Sequence, residues 1–357
     1  FKKVENAISV YTSELDHSAG GVAPEVLLED RMTKGKERLD NALEALALLC
    51  EPVEPPRGEL EHIHYFCGNT EIASDLQERE PQRAALYKAT VALVRAYANI
   101  ADELDRAGYS PADIARIKRD LEHYLNVREI VRKASGETLD LKAYEADMRH
   151  LIDTYIEADE PRKISPFDSM GLLELIVKTG IANAINSQLG GMKGNKNAIA
   201  ETIENNVRSK IIKEHLNDPA FYEKMSALLD EIISARKAKA IEYEEYLRRI
   251  AELAKKVEAG KAEDTPAKLD TPGKRAVYNI LKSRSAAEPA APYNGATQDD
   301  ALELALRIDE AVKGKRPAGW RGVQAREQVV KAALFGVLKD VDAVERIFPV
   351  IKQQREY

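Results

Sequence analysis

Apolar side chains along most of this chain recur at three- and four-residue steps, and no segment alternates in the two-residue manner of a half-buried strand. Phe221, Met225, Leu228, Leu229 and Ile232 fall on one stripe, and Tyr243, Tyr246, Leu247, Ile250, Leu253 and Val257 continue it. Helix starts are clearly punctuated. Ser110-Pro111 and Ser165-Pro166 each place a hydroxyl at the N-cap, proline at the first helical position and a carboxylate, Asp113 or Asp168, in the first turn. Asp218-Pro219 and Thr271-Pro272 repeat the cap-then-proline pair, and Thr297 is followed three residues later by Asp300.

These signals predict helices over about 2–16, 24–49, 58–67, 81–107, 111–133, 140–156, 166–188, 196–216, 219–259, 272–283, 298–313, 321–339 and 340–354. The expected fold is all-α, a multi-helix bundle in two packed subdomains, 1–160 and 161–357, bridged by a long helix over about 219–259. Such a helix would span about 60 Å. Its apolar stripe is interrupted by Arg236-Lys-Ala-Lys239, which reads either as an exposed helix waist or as a phosphate or partner contact through Arg236, Lys237 and Lys239. Polar or Pro-containing connections are expected at 158–163, 262–270 and 285–295.

Composition supports the helical reading, because aromatic residues make up only 6% and charged residues 32% of the 357 residues. A formal net charge of −7 argues against a surface that wraps nucleic acid and confines any DNA contact to local basic patches. Two cysteines, Cys50 and Cys67, do not make a disulfide framework and fit a reducing cytoplasm. No run approaches the length of a membrane span. The chain opens on Phe1 rather than Met, from which we expect, unless processing removed an N-terminal segment, a piece of a longer protein with the missing part upstream.

The search for chemistry yields no catalytic, cofactor or metal residue. None of the pairs Gly35-Lys36, Gly260-Lys261, Gly273-Lys274 and Gly314-Lys315 has the following Ser or Thr and the preceding glycine that a phosphate-binding loop needs. Gly190-Gly-Met-Lys-Gly-Asn195 follows a helix rather than a strand, so it reads as a helix end and loop. Asp102-Glu-Leu-Asp105 imitates a helicase acidic box but continues a helical pattern, and Asp140-Leu-Lys142 imitates part of a nuclease motif at a helix start. His62, His64 and Cys67 could ligate zinc, yet a spacing of two on a helix sends the histidines to different sides. Two contact candidates remain. Lys274-Arg275 sits in a first helical turn, where positive charge opposes the helix dipole, so a partner carboxylate or phosphate is one reason to keep it there. Trp320-Arg321, between Gly319 and Gly322, is either a core anchor with basic neighbours or a contact surface.

Asp218-Pro-Ala-Phe-Tyr-Glu-Lys-Met225, Ile241-Glu-Tyr-Glu-Glu-Tyr-Leu247, Thr271-Pro-Gly-Lys-Arg-Ala-Val-Tyr278, Gly319-Trp-Arg-Gly322 and Gln353-Gln-Arg-Glu-Tyr357 together resemble the C-terminal region of the motor and endonuclease (R) subunit of type I restriction enzymes. The resemblance is dense from about Ser165 to Tyr357, and Val4-Glu-Asn-Ala-Ile-Ser-Val-Tyr-Thr12 is similar to the segment that follows the second motor domain. It implies a parent with a nuclease domain and two ATP-driven motor domains that translocates and cleaves DNA. It also implies a helical end associated with the motor domains and with the methyltransferase and specificity subunits. ATP and Mg²⁺ belong, on this resemblance, to the parent's other domains, and no residue here is expected to bind them. The leading expectation is a non-catalytic docking scaffold; the alternative is a helical module that touches the translocated duplex.

Overall fold

A computed structural model of the 357-residue chain describes residues 24–137, 170–190, 195–287 and 298–357. The expected helices over 2–16 and 140–156 lie outside the described residues. Among those described, all regular structure is helical: α1 (Pro24–Cys50), α2 (Glu59–Cys67), the single turn α3 (Asp75–Glu78), α4 (Glu80–Ile100), α5 (Pro111–Ser135), α6 (Leu172–Thr179), α7 (Ile181–Gln188), α8 (Lys196–Glu214), α9 (Pro219–Lys237), α10 (Tyr243–Ala259), α11 (Pro272–Ala287), α12 (Gln298–Lys315), α13 (Gln324–Leu338) and α14 (Val341–Gln353). No helix of the described residues is long and apolar enough to cross a membrane.

The described residues fall into two compact units, one from 24–68 and 77–133, the other from 69–76, 134–137 and the residues from 170 onward. In the first, α1 lies along α4. Their close approach depends on Gly35, where a Cβ would come within 2.5 Å of Ile100 Cγ2. Leu39, Leu46, Ile63, Phe66, Leu86, Leu93, Ile117 and Leu121 fill the interior. The start of α5 is the reciprocal cap read from sequence: Asp113 N–H donates to Ser110 Oγ at 3.1 Å while Asp113 Oδ2 accepts from Ser110 N–H at 3.3 Å.

In the second unit, α8 is enclosed by α6, α9 and α10, and α11 to α14 form a further group that meets the rest through α9 against α11. The expected single helix over 219–259 is two helices. The Lys239 N–H donates to Arg236 O at 3.0 Å and the Ala240 N–H to Ala235 O at 2.9 Å, with Lys239 itself left-handed at φ 53°. This is a Schellman stop with lysine in the place usually held by glycine. Turning back there lets α10 lie on α8, where the Tyr246 hydroxyl donates to Ala200 O at 3.1 Å. The predicted 166–188 helix is likewise divided, because Gly180 at φ +85° separates α6 from α7. The segment predicted at 81–107 leaves α-geometry at Ile100 and closes in a 3₁₀ turn, Ala101–Glu103, so the Asp102-Glu-Leu-Asp105 run follows a helix and no strand.

Candidate functional site

The contact candidates singled out in the sequence lie at two places in the second unit. The first surrounds α8, which is buried on nearly every side although it carries Glu201, Glu204, Asn205 and Arg208. Buried charge of this kind persists only when paired and hydrogen-bonded. Arg236, from the end of α9, supplies a fork: its Nε donates to Glu204 Oε1 at 2.7 Å and its Nη2 to Glu204 Oε2 at 3.0 Å. Glu201 lies 3.7 Å away, and the guanidinium sits 5.6 Å from the Tyr246 ring centre. Burial pushes the Glu204 carboxyl up, opposed by the facing Arg236. One turn along α8, Arg208 donates to Asp230 Oδ1 at 2.6 Å, Ser226 Oγ at 3.2 Å and Thr70 O at 3.1 Å. Lys237 Nζ donates to Asn69 Oδ1 at 2.5 Å and stands 3.4 Å from Glu71. The segment 236–239, read either as an exposed waist or as a contact, is therefore a helix end whose first two cations are turned inward, and of its three cations only Lys239 is exposed.

The second place is the strap Gln353–Tyr357, which runs from the end of α14 across the α11–α14 group. Trp320, 2% exposed, lies 5.9 Å from the Phe348 ring and donates its indole N–H to Tyr357 O at 3.4 Å. Arg321 stacks on that indole at 4.8 Å and donates to Lys352 O at 2.8 Å, a carbonyl in the last turn of α14, and to Gln354 O just beyond it. Arg316 donates to Glu356 O at 2.7 Å, and Glu356 Oε1 accepts from Gly273 N–H at 2.9 Å. The Tyr357 hydroxyl donates to Asp309 Oδ1 at 2.9 Å, and Asp309 also pairs with Lys313 at 2.8 Å, with Lys274 at 3.9 Å. Lys274 donates to Asp270 Oδ1 at 2.8 Å, and Arg275 reaches back to Leu269 O and Asp270 O at 3.3 and 3.2 Å. The structure thus brings Trp320 and Arg321 onto the strap, links Lys274 to it through Asp309, sets Arg275 on the Leu269 and Asp270 carbonyls, and places Arg236 and Lys237 elsewhere. The local carboxylate and carbonyl partners account for cations in the first turn of α11 without an outside ligand.

His62, His64 and Cys67 share α2 without converging. His62 and Cys67 are buried and His64 exposed; His62 Nδ1 is 2.7 Å from Gly58 O, and its ring meets that of His123 at 5.8 Å. Burial, with His123 nearby, pushes the His62 imidazole below its ordinary range, and burial pushes the Cys50 thiol up to about 11. Among the described residues no group of three or more His, Cys, Asp or Glu side chains could hold a metal ion. Asp140-Leu-Lys142 lies outside the described residues, as does most of the Gly190–Asn195 loop.

One surface was missed in reading the sequence. On α13, Ala325, Gln328, Val329, Ala332, Phe335 and Gly336 are all exposed. At 100° per residue they cover a face about 120° wide that carries no charge. Val329 and Phe335 are 42% and 44% exposed, and Val323 and Val341 at the two ends of the helix are 43% and 61% exposed. Three bordering cations have partners: Arg326 donates to Ala318 O at 2.9 Å, Lys331 pairs with Glu345 at 2.7 Å and Lys352 with Glu327 at 2.8 Å, while Lys339 stands exposed at the end of the helix. In contrast, α10 presents Glu244, Arg248, Glu252 and Lys255 to solvent. The signal that could have marked the α13 face is a helix side built of Ala, Gln and Gly where charge is the norm for this chain.

A family model described as Type I restriction enzyme HindI endonuclease subunit-like, C-terminal, matches residues 59–340. No curated protein and no solved structure matches the chain.

Proposed function

We propose that this chain, which belongs to the family of type I restriction enzyme HindI endonuclease subunit-like C-terminal regions, is a non-catalytic docking module. Its role on this reading is to hold the motor part of the subunit against the methyltransferase-specificity core. The observation that carries it is the uncharged face of α13, with Val329 and Phe335 exposed between Val323 and Val341. Apolar side chains gathered on one solvent-facing stripe suit a protein partner, since burying them recovers about 25 cal/mol per Å². The same face is poorly suited to a DNA backbone, because duplex affinity comes largely from cations set against phosphates. Most of the basic side chains first considered for such a contact are bonded within the chain, which also weighs toward docking.

The test is binding of the 357-residue chain to the purified methyltransferase-specificity core, with Phe335→Glu and Val329→Lys as variants. Loss of a central apolar anchor is worth roughly 1–2 kcal/mol or more, so each change is expected to weaken binding about tenfold while leaving the helical content intact. Failure of the unmodified chain to bind the core sinks the reading. Duplex binding that falls steeply with salt supports the rival DNA-contact role instead.

A further inference from the structure

The turn between α8 and α9 joins three parts of the second unit. Asp218, 6% exposed, caps α9: its Oδ1 accepts the Phe221 N–H at 3.1 Å. Its Oδ2 accepts the Asn279 side-chain amide of α11 at 2.6 Å, and the neighbouring Asn217 O accepts from Gln354 Nε2 of the strap at 2.5 Å. The place where α9 meets α11 therefore closes over one carboxyl group. We propose that the Asp218–Asn279 contact is a proton-operated joint, taut when Asp218 is protonated and loosened when it is ionised.

The chemistry of the surroundings supports this. Burial disfavours the carboxylate, and the Asn279 and Phe221 hydrogen bonds together with Arg275 offset that only in part, leaving Asp218 pushed up to about 6. Arg275 is the cation facing it from α11, and its Nη1 is directed to Leu269 O and Asp270 O. From α9 comes Tyr222, whose own neighbours include the Glu214 side chain at the end of α8 and that of Glu258 on α10. From the strap comes the uncharged Gln354. Proton uptake from water at Oδ2 costs neither hydrogen bond. Oδ1 keeps the Phe221 N–H, and the new O–H donates to Asn279 Oδ1 once that amide rotates by half a turn. What disappears is the buried charge. The sign is fixed by the raised value: the folded chain holds a proton that the unfolded chain has lost, so this contribution is complete below about 4 and vanishes as pH rises through about 6.

The experiment follows the Asp218 carboxyl carbon by NMR in the 357-residue chain, alongside hydrogen exchange of α9 and α11 amides at pH 5 and 7.5, corrected for intrinsic rates. A midpoint near 6 is expected, with exchange protection at the joint falling about tenfold between pH 5 and 7.5, since a group half-titrated near 6 is displaced by one on the pH scale at pH 5, about a factor of ten in the equilibrium. Asp218→Asn keeps a cap and an amide partner without a titrating group, so its protection should be flat with pH. A carboxyl midpoint near 4, or the same pH response in the chain and in Asp218→Asn, overturns the proposal. If the variant fails to fold, the carboxyl midpoint of the unmodified chain decides alone.

Discussion

Replacing Arg236 with Met should be among the most damaging single changes outside the apolar core. Glu204 has no exposed side-chain surface and Arg236 only 11%, and the two share bonds of 2.7 and 3.0 Å. Met fills much of the aliphatic volume but leaves Glu204 as an unpaired buried charge, with Glu201, 4% exposed, beside it. Breaking a buried pair from one side costs about 3–5 kcal/mol. At a urea slope of roughly 1–3 kcal/mol per M, that is a fall of about 1–5 M in the midpoint of the second unit's transition. The burial that already pushes Glu204 up gives the variant one escape, protonation, so the cost should shrink as pH is lowered from 7 to 5. Adding Glu204→Leu to Arg236→Met removes the stranded charge, and the double variant should return to within about 2 kcal/mol of the parent or exceed it. A single-variant cost below about 1 kcal/mol, or a double variant equal to the sum of the singles, would refute the claim that this pair is desolvated and coupled.

Three further outcomes can be checked. Trp320→Ala should cost about 3–5 kcal/mol by circular dichroism in urea, since it empties a fully enclosed site beside Phe348 and frees the strap carbonyl of Tyr357. Lys339→Gly should raise stability by about 0.5–1 kcal/mol, read as ~1–3 °C in Tm, because Lys339 ends α13 at φ 56°, a conformation that costs a residue with a Cβ. His62 is held below its ordinary range, so its contribution is present above the unfolded value near 6.5 and is lost as pH falls through the lower folded value. Proton NMR of the His62 ring should show it neutral at pH 7, and a midpoint at or above 6.5 would contradict its burial.

The helical class and most helix starts were open to reading because their causes are local. Ser110 with Asp113, and Asp218 with Phe221, are contacts three residues apart, so the caps stand in the sequence as they stand in space. The break at Lys239 was hidden for the opposite reason. Its apolar stripe continues on both sides, no Gly or Pro marks the stop, and the turn is favoured by the packing of Tyr246 and Arg236 onto α8 from far along the chain. Gly180 did carry a local signal, which the apolar pattern around it masked. The contact candidates were legible as unusual cations, but their partners were not. Arg236 meets Glu204 across 32 residues and Trp320 meets Tyr357 across 37, distances over which spacing says nothing about proximity.

Trp320 is the only tryptophan in the chain, and it is enclosed by Phe348, Arg321 and the strap. Nearly all emission excited at the red edge of the absorption band will therefore come from one point in the α11–α14 group, while circular dichroism sums every helix. The molecule carries a built-in optical tag for one end of itself. If the two signals change at the same denaturant concentration, that end unfolds together with the remaining helices; if emission changes first, the last four helices form a separately melting piece.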